Sequence, residues 1–362
     1  MKVLFDHEIF SKQRYGGISR YFANIYHTIQ NTDNQQASIS TFCTHNYYID
    51  EINGGFGNFL RNTLLKKERR NYRWNKRYSK YIIGKNDFDV FHPTYFNTYF
   101  LKNLRKPFVL TVHDMIYEIF PEYFPSHDPL PYHKRILMNR AEKIIAISET
   151  TKADILRHSD VTESKIEVIH HGIDFNPSEY QDVPNLPKEY ILFVGERTQY
   201  KNFHIVASAF REISLKHPNL KLVLAGGGSM NYGDSEFLMR NNILERTIQI
   251  SATDKQLNTI YKNAICFVYP SLYEGFGLPI LEAFKNNCPV LLSNCSCFQE
   301  IAGNAAKYFE AKSLQSLTTE IEQMIVDAPK RTEMIALGNK KFLEYPLDKC
   351  ISKTIDLYKS IS

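Results

Sequence analysis

The stretch Tyr269-Pro270-Ser271-Leu272-Tyr273-Glu274-Gly275-Phe276-Gly277-Leu278-Pro279-Ile280-Leu281-Glu282-Ala283 decides the fold. The run Ile265 to Tyr269 is apolar enough for a buried strand, and Pro279 stands where proline opens a helix carrying Glu282 and Ala283. Between them lies a loop with two glycines and one carboxylate. Open α/β sheets bind ligands at the carboxyl ends of their strands, and glycines there let a phosphate or sugar hydroxyl approach the backbone. Amides at the helix start favour a diphosphate. Glu274 and Glu282 repel anions and suit hydrogen bonds from sugar and ribose hydroxyls instead. A glutamate that merely caps the helix and a second one in solvent satisfy the same spacing, so spacing alone leaves both readings open.

Working outward, 362 residues suit two domains of comparable size. With 43% hydrophobic and 23% charged residues, the composition excludes disordered and fibrous classes. No stretch approaches the length of a membrane span, and a strand begins at Lys2-Val3-Leu4-Phe5 with no signal peptide before it, so a cytosolic protein is expected. Six cysteines, Cys43, Cys266, Cys288, Cys295, Cys297 and Cys350, are dispersed. Only Cys295 and Cys297 are close, which argues against a zinc cluster and fits a reducing compartment. The 24 Phe and 23 Tyr fit either packing or stacking on sugars.

Along the chain, Val3 to Asp6 reads as a strand and Gly16-Gly17 precedes a helix whose face carries Ile18, Phe22, Ile25 and Ile29. The glycine pair suits a phosphate or a tight turn; no GxGxxG pattern follows, so a nicotinamide site gains no support. Asn46 to Asn58 reads as a loop. Residues 61–80 form a basic block of Arg61, Lys66, Lys67, Arg69, Arg70, Arg73, Lys76, Arg77 and Lys80 interrupted by Leu64, Leu65, Tyr72, Trp74, Tyr78 and Tyr81. Such a block suits an interfacial helix on anionic lipid, or a solvated face that also packs on the first domain. Nucleic acid fits it less well, because net charge is only +5 and no nucleic-acid motif occurs.

Further strands are expected at Asp89 to Pro93, Pro107 to Asp114, Lys143 to Ser148 and Lys165 to Ile169, with His113 and Asp114 where a catalytic loop emerges and Ser148 as a helix cap. His170-His171 lacks partners for a metal. Asn176 to Lys188, with three prolines, reads as an interdomain linker. The α/β alternation restarts at Tyr190 and continues through Leu220 to Ala225 with its Gly226-Gly227-Gly228 turn, the segment near Ile248, the Ile265 strand and Pro289 to Ser293. Helices are expected over Ser313 to Val326, beyond Arg331 and at Cys350 to Lys359. The pattern predicts two doubly wound domains with a cleft between them.

With these residues assembled, the chain resembles glycosyltransferase family four over nearly its full length. The strongest marker is Glu274 to Glu282, a Glu-x7-Glu arrangement in a Pro-Ser-Leu-Tyr-Glu-Gly-Phe-Gly context. Further markers are Tyr15 to Arg20, Val112-His113-Asp114, Ile147-Ser148-Glu149, Ile169 to Asp174, and Gly195-Glu196-Arg197 followed by Tyr200-Lys201-Asn202-Phe203. The resemblance implies the α/β GT-B fold, two facing Rossmann-like domains with an interdomain active-site cleft. Its domains would be 1–180 on the acceptor side, 181–345 on the nucleotide-sugar side, and 346–362, a terminal helix crossing back to the first.

The resemblance also implies roles. Arg197 and Lys201 would bracket the donor diphosphate, with Gly16 and Gly17 closing over it. Glu282 would accept from ribose hydroxyls, and Glu274 from the transferred sugar with the amides of Gly275, Phe276, Gly277 and Leu278. His113 would lie near the sugar, with Asp114 orienting it; Tyr200 would stack or pack. No acidic metal motif is present, so no metal is required. The implied reaction retains configuration, a leaving-phosphate oxygen taking the acceptor proton, with no covalent nucleophile assigned. The Gly195 to Phe203 segment resembles bacterial surface-polysaccharide mannosyltransferases, which points to GDP-mannose as donor and to an O-antigen or capsule glycan on a polyprenyl diphosphate as acceptor. Residues 61–80 would then approach the cytoplasmic face of the inner membrane. A UDP-sugar transferase, a sugar-nucleotide epimerase and a non-enzymatic glycan-binding scaffold remain the alternatives.

Overall fold

A computed structural model describes residues 1–49 and 68–362. The chain divides into two compact units, Met1–His171 with Asp348–Ser362, and Gly172–Leu347.

In the first unit, β1 (Lys2–Phe5) lies between β2 (Gln36–Ile39) and β3 (Val90–His92), and β4 (Val109–Val112), β5 (Lys143–Ala146) and β6 (Ile166–Val168) follow in order, every pair parallel. A parallel bridge between Phe91 and Phe108 joins β3 to β4. The order 2-1-3-4-5-6 therefore changes direction between β1 and β3. There the buried carboxylate of Asp6 accepts from the Thr94 amide at 2.9 Å and the Tyr99 hydroxyl at 3.1 Å, tying the two strand ends together.

The second unit contains β7 (Tyr190–Val194), β8 (Lys221–Ala225), β9 (Thr247–Ile250), β10 (Cys266–Tyr269), β11 (Val290–Ser293) and β12 (Lys307–Phe309). Its sheet runs β9-β8-β7-β10-β11-β12, again wholly parallel. Its direction of winding reverses between β7 and β10, where a doubly wound sheet opens a crevice for ligand. Strands such as Tyr190–Val194 are apolar throughout rather than alternating because helices cover both faces. The core beneath them contains Ile191, Phe193, Phe203, Phe210, Leu222, Leu224, Val268, Leu291, Leu317 and Ile321.

Two expectations need correction. The 61–80 block is helical from Glu68, in a helix Glu68–Lys85, and Arg61, Leu64, Leu65, Lys66 and Lys67 lie outside the described residues, as does most of the expected 46–58 loop. The 176–188 segment is not a free linker: it belongs to the second unit, where Asn258 Nδ2 donates to Glu179 O at 3.0 Å and Thr259 Oγ1 to Gln181 O at 2.7 Å. Between Asp114 and Lys143 the chain forms a short helix, Ile116–Ile119, and then the helix Leu130–Arg140. Ser148 does cap the helix Glu149–His158, its hydroxyl accepting from Thr151 N–H. The terminal helix Leu347–Ile361 lies, from Asp348 onward, within the first unit.

Candidate active site

At the reversal point of the second unit, the loop after β10 turns into the helix Leu278–Lys285 with Pro279 in its first turn. Gly277 makes that turn with φ of +97°, and a Cβ there would press on Ile280 and Phe298. Glu274 does not cap the helix. Its Oε1 accepts from Lys201 Nζ at 2.6 Å and from Ser271 Oγ at 2.6 Å, so the capping alternative is removed. Lys201 comes from the turn after β7, lies 17% exposed, and has its ammonium over the rings of Tyr200 and Tyr269 at 5.3 and 5.6 Å. Burial disfavours the Lys201 charge, but Glu274 beside it outweighs this and holds its pKa above the ordinary lysine value. Glu282 is half-buried on the helix, and Tyr261 donates to its Oε2 at 3.4 Å. Gly275 and Phe276 are buried, Leu278 half-buried, and Phe276 O accepts from Cys297 Sγ at 2.9 Å.

Arg197 departs from the expected pose. Its Nε donates to Asp234 at 2.8 Å, and its terminal nitrogens face the carbonyls of Gly226, Gly227, Gly228 and Ser229 at 3.0 to 3.5 Å. The guanidinium is 3% exposed. The three glycines take φ of +74°, +68° and +71°, which turns successive carbonyls toward the cation. At Gly227 a Cβ would stand 2.2 Å from Gly195 O, so only glycine fits. Asp234 was not foreseen. Its sequence signal is the capping box Asn231-x-x-Asp234, which announces a helix start but not the arginine it holds.

In the first unit, Gly17 opens the helix Gly17–Gln30 with Gly16 at the cap position. The Gln13 side chain accepts from Ser19 N–H at 3.2 Å. His113 follows β4 and is 7% exposed, with Nε2 buried and lacking a hydrogen-bond partner. Burial, then the neighbouring His92 and Lys134, lower its pKa to about 3, so the ring is neutral near pH 7. Asp114 does not orient it: Asp114 Oδ1 accepts from Ile116 N–H at 3.1 Å, forming a local turn. His113 is held instead by rings. His171 stacks on it at 5.6 Å, and Tyr21, from the glycine helix, meets it edge to face at 5.7 Å. Of the two adjacent histidines, His171 thus forms a wall beside His113. Among the described residues, no group of three or more His, Cys, Asp or Glu could hold a metal ion.

The sequence matches "Glycosyltransferase Family 4" over residues 15–176 and "Glycosyl transferases group 1" over residues 178–341. The chain belongs to glycosyltransferase family 4. The Glu-x7-Glu segment lies within the second match, on the loop and helix bearing Glu274 and Glu282. The chain is 28% identical over 271 residues to O-antigen chain mannosyltransferase B of Escherichia coli, covering 69% of this chain and 70% of that one. To O-antigen chain mannosyltransferase RfbU of Salmonella typhimurium it is 28% identical over 229 residues, covering 59% and 61%, less than two thirds of that relative's length. Among solved structures, Anabaena HepE in complex with UDP and glucose superposes with a TM-score of 0.75 at 15% identity, over 99% of this chain and all of that one. The fold of this glycosyltransferase is GT-B.

Proposed function

We propose that the chain transfers a hexose with retention, mannose from GDP-mannose, to a polyprenyl-diphosphate-linked glycan in synthesis of an O-antigen, capsule or related polysaccharide. The observation that carries this reading is the Lys201–Glu274–Ser271 constellation at the reversal point between β7 and β10. A lysine beside a carboxylate answers two different demands of a sugar nucleotide: the ammonium meets the diphosphate and the carboxylate accepts from sugar hydroxyls. Arg197 joins the diphosphate by exchanging neutral carbonyl partners for phosphate oxygens, which accept more strongly. Glu282 takes the ribose hydroxyls, and the amides of residues 275–278 at the helix start face the phosphates. For the first unit, Gly16 and Gly17 serve the diphosphate, and the neutral His113 serves the transferred sugar as a hydrogen-bonding group that adds no charge of its own.

In this mechanism the anomeric bond to the diphosphate breaks first, positive charge develops on the sugar, and the departing phosphate oxygen takes the acceptor proton as the hydroxyl attacks from the same face. Lys201 and the helix amides stabilise the charge left on phosphate, a contribution that no metal is needed to supply. The names of the two mannosyltransferase relatives support the donor and glycan class. The HepE complex with UDP and glucose supports the second reading, a UDP-sugar donor.

The proposed place of action is the cytoplasmic membrane face. The helix Glu68–Lys85 packs inward through Asn71, Asn75, Ser79 and Ile83. Its outer side carries Arg70, Arg73, Arg77, Lys80 and Lys85 with Trp74 and Tyr81, 49% and 62% exposed, the pattern of a helix lying on anionic lipid. Among the described residues, no helix is long and apolar enough to cross a membrane. Neutralising Arg70, Arg73, Arg77 and Lys80 is expected to weaken binding to phosphatidylglycerol vesicles by about 1 kcal/mol per charge; unchanged co-sedimentation would reject the membrane role.

Mass spectrometry of purified protein offered GDP- and UDP-sugars, with and without polyprenyl-linked glycans and in EDTA, tests the whole reading. Acceptor-dependent mass gain with GDP-mannose, undiminished by EDTA, is expected. Gain only with a UDP-sugar would replace the donor, donor conversion without acceptor would mark an epimerase, and neither binding nor turnover would favour a glycan-binding scaffold.

A further inference from the structure

Four buried side chains of the first unit form a hydrogen-bonded row that the mechanism above does not use. Tyr358, on the helix Leu347–Ile361, places its hydroxyl 2.6 Å from His92 Nδ1. His92 Nε2 stands 3.0 Å from Thr111 Oγ1, which stands 3.3 Å from the Tyr21 hydroxyl. Their exposures are 0% for Tyr358 and His92, 3% for Thr111 and 6% for Tyr21. Thr354, one turn before Tyr358, hydrogen-bonds Tyr21 as well. A row this deeply buried offers little room for a ring to turn without breaking a bond, and an unpaired buried polar group costs about 1 to 3 kcal/mol.

The row has one polarity. Burial lowers the His92 pKa to about 3, so its ring is neutral and carries one N–H. Burial raises the pKa of Tyr358 far above the usual value, so the phenol keeps its proton. If His92 donated from Nδ1, the Tyr358 hydrogen would face away from that nitrogen, its one hydrogen-bond partner among the described residues. Tyr358 therefore donates to Nδ1, His92 holds its proton on Nε2 and donates to Thr111, and the Thr111 hydrogen is left for Tyr21.

The row ends on the walls of His113. Tyr21 presents its ring edge to face to His113 at 5.7 Å and to His171 at 4.8 Å. Phe22 stands against both His92, at 4.9 Å, and His113, at 6.2 Å. His113 has no hydrogen bond at Nε2 to set its orientation, so packing by these rings sets it. We propose that Tyr358 is a positioning residue for His113: the terminal helix, through His92, Thr111 and Tyr21, holds the rings that aim His113 Nε2. This deepens the role given to His113 above and rests on it. It makes the helix Leu347–Ile361 part of the first unit's site.

The test uses the full chain with Tyr358→Phe, which removes one oxygen, and Thr111→Val against Thr111→Ser, which removes or keeps the hydroxyl. Two-bond nitrogen–proton spectra of 15N-histidine-labelled, donor-free protein report each ring's tautomer. Tyr358→Phe is expected to move His92 away from the Nε2–H form and to shift His113. Turnover should fall about ten- to a hundredfold in kcat, the size expected for a misaimed group, with donor KM held within about twofold. Thr111→Val should do the same and Thr111→Ser should restore the wild-type spectrum and rate. Unshifted His113 resonances, or Thr111→Ser behaving as Thr111→Val, would overturn the positioning role. If Tyr358→Phe does not fold, the Thr111 pair carries the same comparison. His113→Ala separates the two claims: full turnover in that variant defeats the role assigned to His113, whereas silent spectra in Tyr358→Phe defeat the row.

Discussion

At the strand ends of the second unit the functional side chains are ions held in pairs, Lys201 with Glu274 and Arg197 with Asp234. In the first unit the strand ends and the elements around them carry four buried imidazoles, His7, His92, His113 and His171, all with pKa values pushed down by burial. Among the described residues the second unit buries no histidine. The difference teaches how two sheets of one architecture divide the proposed chemistry. A diphosphate needs cations that stay charged, and Glu274 helps keep Lys201 so. A sugar developing positive charge is served by a neutral ring, which a cationic imidazole would oppose.

The comparison breaks most visibly at Lys201. Lys201→Met removes the ammonium and leaves Glu274 with the hydroxyls of Ser271 and Tyr269, and should lower kcat/KM by about a hundredfold or more, the size seen when a transition-state charge partner is removed. A loss below tenfold in a steady-state donor assay, judged against that same scale, would mean that the paired ions are structural rather than catalytic.

Acid should act on the first unit and spare the second. A histidine with an unfolded pKa of 6.5 and a folded value near 3 binds its proton in the unfolded state first, so stability is lost as pH falls below 6.5. Each such ring contributes a slope of about 1.4 kcal/mol per pH unit, about 2 kcal/mol by pH 5. Asp6 opposes them. Burial and then Glu8 push its pKa up to about 6, so protonation below that value favours the folded state until the unfolded carboxyl also protonates near 3.8. With four rings lowered, three of them to about 3, against one opposing carboxyl, the net sign is destabilising. Hydrogen exchange at pH 7 and pH 5 should show protection lost in β1, β3 and β4 before β7, β8 and β10, and the reverse order would refute the division.

The smallest effect serves as a control. Ser148→Ala removes the cap of the helix Glu149–His158 and should cost about 1 kcal/mol in thermal unfolding with kcat unchanged. A change in kcat would show that the first unit's site is less insulated from general loosening than its ring packing implies.

Much of this was legible beforehand. Glu274, the two glycines and Pro279 announced a strand, a loop and a helix because each residue type has a local conformational reason to stand there, and Lys201 was expected at the same ligand. The strand Lys307–Phe309 was missed because three residues, of which only Phe309 is buried, carry too little periodicity to read. Asp114 was misread because adjacency to His113 suggested contact, while its carboxylate had a nearer backbone amide to satisfy.

By itself the sequence determined the two α/β patterns and the glycosyltransferase family, and it nominated the residues proposed to meet a sugar nucleotide, since these follow from local propensity and from spacing along one loop. Only the tertiary structure decided that Arg197 is held by Asp234 and four carbonyls, and that His113 is walled by Tyr21 and His171. It also decided that Tyr358 reaches His92 across 266 positions of sequence. These are contacts between residues far apart in the chain. Their energies come from burial and from hydrogen bonds that exist only once the sheets have formed, and no local pattern encodes them.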